Sequence, residues 1–252
     1  MSIWALRGLR DGVVTTRWPR RADEYADAWR GPVTVIGDAD AQDVDGLCPT
    51  GAIEVAGQVR VDQGKCILCG RCVAQRPDLF AWSAGATGPD AAALTREALV
   101  IPHIAETDEA VAAVRAALAA RTAALRRSVH VRHVDAGSDG SEEWEIQALP
   151  GPVYDVHRLG VFFTASPRHA DVLLVTGAGS PGMAGPLRTT YDGMPDPRVV
   201  IAVGTDAISG GLLGDRLTGV AGAVPVDVFV PGSPPSPFGI LNALLIATGK
   251  LR

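Results

Sequence analysis

Asp171-Val172-Leu173-Leu174-Val175-Thr176-Gly177 is the stretch that decides the fold class of this chain. It is a short apolar run without polar alternation, the pattern of a strand buried on both faces in a parallel sheet covered by helices. Working outward, Val129–Val134, Val161–Thr164, Val199–Val203 and Val224–Val230 have the same character, and helix-like or loop segments separate them. The pattern predicts an α/β domain with a mostly parallel sheet. Gly204, Gly210, Gly211 and Gly232 fall just after strand ends, where an open parallel sheet carries its functional crevice. Phe238–Thr248 reads as a closing helix. Upstream, an alanine-rich helix starts near Thr107 with Asp108 and Glu109 in its first turn and closes on Arg126 and Arg127, matching the helix dipole at both ends.

A smaller unit precedes that helix. Val33–Ile36 is a β-branched run, and Ala52–Val55 with Val59–Val61 suits a hairpin around Gly57. Residues 83–102 are turn-rich and read as a connector. The first thirty residues read as an arm, with Arg17, Arg20 and Arg21 around Trp18-Pro19 and a short helical pattern near Tyr25–Trp29. Ile3, Trp4, Leu6 and Leu9 form one apolar face beside Arg7 and Arg10; its expected role is packing on its own domain or a partner subunit, with membrane contact as the alternative. The expected organisation is an arm over 1–30, a small domain over 31–82, a connector with the helix over 83–127, and the α/β domain over 128–252.

The 252 residues are 47% apolar and 20% charged, enough to bury cores and unlike a disordered chain. A net charge of −5 gives no electrostatic footprint for nucleic acid. No apolar stretch is long enough to span a bilayer, and Arg7, Arg10 and Asp11 interrupt the start unlike a secretory signal, so a cytoplasmic location is expected. The expected partners exclude nucleic acid.

In such a compartment Cys48, Cys66, Cys69 and Cys72 read as metal ligands rather than disulfides. Cys66-Ile67-Leu68-Cys69-Gly70-Arg71-Cys72 sets three thiolates two residues apart, and Gly70 permits close backbone approach. Cys48, followed by Pro49, supplies the remote fourth ligand, as in bacterial C-x₂-C-x₂-C-x₃-C-P ferredoxin runs. The reading is one [4Fe–4S] cluster and one-electron transfer. A structural zinc site is the alternative, although zinc ribbons use two CxxC pairs.

Residues 33–80 closely resemble a bacterial-type ferredoxin. A second cluster would need cysteines at positions 38, 41, 44 and 76, which hold Asp38, Ala41, Val44 and Arg76. All four ligands of one cluster are missing together, while all four of the other are kept.

Residues 128–252 resemble the small cluster-bearing subunit of respiratory complex I and of energy-converting [NiFe] hydrogenases, formate hydrogenlyase included. The likeness is carried by Ser128–Val134 with Asp135-Ala136-Gly137-Ser138, by Glu145–Leu149, Pro152–Asp155 and Arg158-Leu159-Gly160, and by Ala165–Gly177, Pro195-Asp196-Pro197, Val203-Gly204, Val224–Val228 and Pro231-Gly232. Gly12–Pro19 is similar to the opening of the ferredoxin subunit of the same complexes. The resemblance implies two neighbouring redox subunits joined in one chain: a small ferredoxin-like domain followed by a flavodoxin-like α/β domain. It further implies a large hydrogenase-like or complex I-like subunit and other redox subunits as partners, and peripheral attachment through them to the inner face of the cell membrane. The family's own cluster would be ligated at positions occupied here by Asp139, Glu142, Asp206 and Ser233, none a cysteine. Hard oxygen donors do not replace thiolates around an iron–sulfur cube. A hard cation is one reading of that oxygen set, and a vacated site rebuilt with caps and solvent is the preferred one. A docking, assembly or sensory scaffold with a structural cluster is the alternative function, and a soluble ferredoxin with an accessory domain the third.

Smaller signals carry less. His130 and His133 on one strand should face opposite sides, so no shared metal is expected. Arg168-His169 suits a surface turn. Gly177–Gly182 resembles a phosphate loop only weakly, lacking the lysine and the following Ser or Thr. No Ser/His/Asp or Cys/His catalytic grouping stands out.

Overall fold

The computed structural model describes residues 3–23, 26, 28–37, 44, 46–55, 57–84, 92–126 and 128–251. In chain order the elements are α1 (Ile3–Asp11), β1 (Arg30–Val35), β2 (Ile53–Val55), β3 (Val59–Asp62), α2 (Arg71–Gln75), β4 (Phe80–Ala84), β5 (Val100–Ile101), α3 (Ala105–Arg121) and β6 (Val129–Asp135). There follow α4 (Ser141–Ala148), β7 (Val161–Phe163), β8 (Val172–Thr176), α5 (Pro181–Asp192), β9 (Val199–Val203), α6 (Gly204–Ser209), β10 (Val228–Val230) and α7 (Pro237–Ala247). Asp38, Ala41, Tyr25 and Arg127 lie outside the described residues.

The large sheet has the order β10-β9-β8-β6-β7 with every pairing parallel. Numbered from β6, this is the flavodoxin-like order, and the strand direction of travel reverses between β6 and β8. Alternate side chains of each strand enter opposite cores. Val129, Val131, Leu174, Ile201 and Val203 meet α7, Leu118 of α3 and Ile146 of α4 on one face. Val134, Leu173, Val175, Val200 and Ala202 meet Leu187 of α5 and Ile208 of α6 on the other. All five residues of β8 and of β9 are buried, which is why their sequences show no alternation.

The predicted strand at Val224–Val230 is shorter than expected, because Pro225 has no N–H to give a ladder and the Asp227 carboxylate instead accepts the Val200 N–H at 2.8 Å. Asp171 plays the same part for His130, whose N–H it accepts at 2.8 Å.

Residues before the helix α3 form two small antiparallel sheets, β1-β4 and β2-β3-β5. The expected hairpin is present, with Val55 opposite Val59 and Gly57 at φ +79° in the turn. Val33, Leu47, Ala52, Val61, Leu79 and Phe80 make a separate core that includes Cys66. The connector is more structured than its composition suggested. Its Val100 and Ile101 pair with β3, and Ala93 exchanges both backbone hydrogen bonds with Phe229 of β10 at 2.8 Å. No helix among the described residues is long and apolar enough to cross a membrane.

Candidate metal centre

The Cys66–Cys72 loop is built by two left-handed residues. Leu68 has φ +55° and Gly70 has φ +72°, so the backbone coils tightly between the three thiols. Gly70 is required by contact as well as by conformation: a Cβ there would lie 2.9 Å from Cζ2 of Trp82. Gly70 also precedes α2, which carries Cys72.

Cys48 reaches the same place from the turn before β2. Its Sγ accepts the Ala52 N–H at 3.3 Å and lies 3.4 Å from the Thr50 hydroxyl, which donates to the Lys65 carbonyl at 2.6 Å. Thr50 therefore ties the remote cysteine to the loop that carries the other three. All four cysteines line one narrow cleft walled by Val33, Leu47, Val61 and Arg71.

Burial pushes the Cys66 thiol above its ordinary value, against lowering by backbone N–H groups of Leu68 and Val33. Cys72 is pushed up to about 11 by burial, then by the neighbouring thiolates, with the Val73 N–H opposing. Cys66 and Cys72 held in this way ionise only against a neighbouring cationic centre. Among the described residues no three or more His, Cys, Asp or Glu side chains are set to hold a single metal ion. The donor chemistry is soft throughout and the amide N–H groups point at sulfur, which fits a thiolate-ligated iron–sulfur group.

The α/β domain is seated directly on this loop. The Thr205 hydroxyl, in the first turn of α6, donates to the Cys66 carbonyl at 2.8 Å. Gly64 is pressed against Ile208 and Leu99, with a would-be Cβ only 2.8 Å from the Ile208 side chain. Asp62, 6% exposed, receives two hydrogen bonds from the Arg96 guanidinium at 2.8 and 2.6 Å and caps Gly64 N at 3.0 Å. The Cys66 turn is thus fixed by the connector on one side and by α6 on the other. Sequence reading missed Thr205, Arg96 and Trp82, because each acts across a long chain separation and belongs to no local motif.

Asp139, Glu142, Asp206 and Ser233 all fall at the carboxyl edge of the parallel sheet, after β6, β9 and β10. Burial raises Glu142 to about 7, with Asp206 and Asp139 adding repulsion. Asp206 is raised by burial and then by Asp139, while Asp139 is lowered by its bonds to Ser141, whose N–H it accepts at 2.9 Å. Glu142 accepts the Ser141 hydroxyl at 3.1 Å. The three carboxylates are thus neighbours with local caps. Ser233 lines a different space, a cavity of about 730 Å³ shared with Leu68 and Trp82.

Glu142 is 1% exposed, so its raised pKa is a stability statement. Between its ordinary 4.5 and about 7 the folded state keeps a proton that the unfolded state releases, so stability is lost as pH rises through that window. Glu142→Gln should therefore unfold at higher urea than the parent at about pH 8 and at nearly the same urea at about pH 5.

The minor signals resolve simply. His130 lies 3.6 Å from Asp171, whereas His133 bonds the Thr176 hydroxyl at 3.0 Å and is lowered by burial. Arg168 and His169 sit in an exposed turn between β7 and β8. The Gly177–Ser180 backbone is already occupied: Ala178 N donates to Gly137 O at 3.1 Å and Ser180 N to Ala136 O at 2.9 Å. Its glycines serve close loop packing, since a Cβ on Gly179 would meet Gly219 O at 2.2 Å.

Residues 140–247 match the family described as NADH ubiquinone oxidoreductase, 20 Kd subunit. Formate hydrogenlyase subunit 7 of Escherichia coli is 38% identical over 160 residues, covering 62% of this chain and 62% of that one. A probable membrane-bound hydrogenase subunit of Pyrococcus furiosus is 41% identical over 136 residues, covering 50% of this chain and 78% of that one. An NADH-quinone oxidoreductase subunit of Thermobifida fusca is 45% identical over 111 residues, covering 43% of this chain and 60% of that one. The match spans less than two thirds of the first and third of these relatives.

Proposed function

Because the chain belongs to the NADH ubiquinone oxidoreductase 20 Kd subunit family, we propose that it is an iron–sulfur electron-transfer subunit of a complex I-like or energy-converting hydrogenase-like assembly, with a ferredoxin-like unit fused in front of the family domain. The reading rests on one observation above the rest: four cysteines line a single cleft, and α6 of the family domain is hydrogen-bonded to the backbone of one of them.

Cys48, Cys66, Cys69 and Cys72 would hold one [4Fe–4S] cluster, which when bound stores and releases one electron at a time. The chain's own residues set the terms. Ala52 N–H at Cys48 and the amides at Cys66 and Cys72 donate toward sulfur, stabilising thiolate charge. Leu47, Val33 and Val61 exclude water on the inner side, while exposed Cys69 leaves an outer side open to an electron partner. Thr205 and Arg96 hold the loop so that little reorganisation is needed. The proposed partners are a large hydrogenase-like or complex I-like subunit and other redox subunits, with the chain peripheral on the inner membrane face.

Anaerobically reconstituted full-length protein should show a broad visible absorbance that bleaches on reduction and a one-electron paramagnetic resonance signal that appears with it. A cluster that stays redox-silent sinks the electron-transfer reading. It would favour the scaffold alternative, to which the oxygen side chains at Asp139, Glu142, Asp206 and Ser233 give support, since the family domain then has no thiolate site of its own.

A further inference from the structure

Helix α1 is amphipathic, and its apolar side is left uncovered by the described residues. None of its residues is buried; Ile3, Trp4, Leu6 and Leu9 are 73, 77, 53 and 80% exposed. Of the two coverings expected from the sequence, its own domain or a partner subunit, the first is not found among the described residues. Val13 and Val14 continue the apolar surface at 78 and 55% exposure.

The arm is nevertheless held at its root. Thr15 donates its hydroxyl to Pro152 O at 2.8 Å, and Thr16 donates its N–H to Val153 O at 2.8 Å. Trp18, 7% exposed, meets Phe238 edge-on at 6.0 Å. The helix therefore leaves the α/β domain at a fixed point.

At 3.6 residues per turn, Leu6 and Leu9 share one side of α1 with Arg10 and Ile3 at its border, while Arg7, Asp11 and Trp4 lie on the other, so the single apolar face expected from the sequence is divided. Arg7 and Arg10 form no ion pair with a described residue. Arg17, Arg20 and Arg21 follow and are exposed. Five arginines and one aspartate in the first 22 residues stand against a whole-chain charge of −5.

We propose that α1 and the arginines behind it form an interfacial anchor for an anionic lipid surface. Leu6 and Leu9 enter the boundary between headgroups and acyl chains, and Arg7 and Arg10 stay among the phosphates. The charge asymmetry selects lipid over protein as the occupant. Here basic residues border the apolar side and extend along the arm of a chain that is acidic as a whole, the arrangement that an anionic leaflet attracts. An acidic body joined to a basic arm also approaches an anionic surface in one orientation only. This goes beyond attachment through partner subunits and does not depend on the cluster.

The test is sedimentation of the full-length chain with phosphatidylcholine vesicles, with and without phosphatidylglycerol. The wild type should pellet with the anionic vesicles at low salt, stay in solution with phosphatidylcholine alone, and release as salt rises. At about 1 kcal/mol per arginine at the surface, Arg7→Gln/Arg10→Gln should lower partitioning roughly 30-fold. Leu6→Gln/Leu9→Gln should lower it as well, and both variants should keep the wild-type circular dichroism because α1 contributes nothing to the core. The proposal is overturned if the wild type ignores anionic vesicles, binds both vesicle types equally, or binds unchanged after either double substitution. Protection of α1 by a partner protein, in a chain that ignores vesicles, overturns it equally.

Discussion

Cys66→Ala should leave reconstituted protein colourless, with its iron falling from about four atoms per chain to none. Cys66 carries the largest expected effect because three constraints meet on it. Its side chain belongs to the small core, its carbonyl receives the Thr205 hydroxyl, and its loop is set by the turn that Asp62 and Arg96 hold. Alanine preserves the packing and the carbonyl bond while removing the sulfur. A partly buried Cys₃ set then has no fourth ligand, and the burial that raises Cys72 to about 11 favours neutral thiols over an incomplete centre. Iron assay and visible absorbance read the outcome directly. Cys69→Ser serves as the check against misfolding, since Cys69 is exposed and its hydroxyl replacement perturbs no core. The far-ultraviolet circular dichroism of both variants should stay near wild type, because the parallel sheet has cores of its own. Full iron retention in both variants would end the four-cysteine reading.

Phe238→Ala should cost about 3–5 kcal/mol, read as a lower midpoint in urea. Phe238 is 1% exposed and is the point where three segments meet. Its ring packs edge-on against Trp18 of the arm at 6.0 Å and Tyr154 of the α4–β7 loop at 5.2 Å. Truncation leaves a cavity lined by rings that have few rotamers with which to fill it, and forfeits two aromatic pairings beyond the lost area. Loss of this contact should also loosen the arm, so trypsin should cut faster at Arg17, Arg20 and Arg21. Phe238→Leu, which refills most of the volume, should recover a large part of both effects. An Ala variant with unchanged midpoint and unchanged cleavage would show that the ring cluster does not hold the arm.

What the sequence disclosed and what it withheld follow one physical division. Val172–Thr176 and Val199–Val203 announced themselves because double-sided burial leaves both strands apolar except for Thr176 at the end of the first. The hairpin around Gly57 and the turn at Cys66–Cys72 were equally readable, since each is set by neighbours in the chain, while the short helix α2 that carries Cys72 was not. The alanine-rich helix was placed well, beginning two residues earlier than expected and ending before Arg126. Contacts that join distant segments left no local trace. Nothing about Arg96 marks it as the partner of Asp62, and nothing about Thr205 marks it as the hydroxyl under Cys66. The connector over 83–102 is the clearest case: its composition says loop, yet Val100 and Ala93 are drawn into two different sheets by strands they meet only after folding. The four oxygen residues at 139, 142, 206 and 233 were assigned by family resemblance, and it took burial and mutual repulsion to show that three of them are neighbours.

The Ala93–Phe229 bridge covers an edge of the parallel sheet. β10 is the outer strand of the parallel sheet, and an outer strand offers unsatisfied amides to any passing polypeptide. By taking both hydrogen bonds of Phe229, the connector closes that row at its midpoint. The segment before α3 is therefore a guard against strand-by-strand accretion at that edge of the parallel sheet.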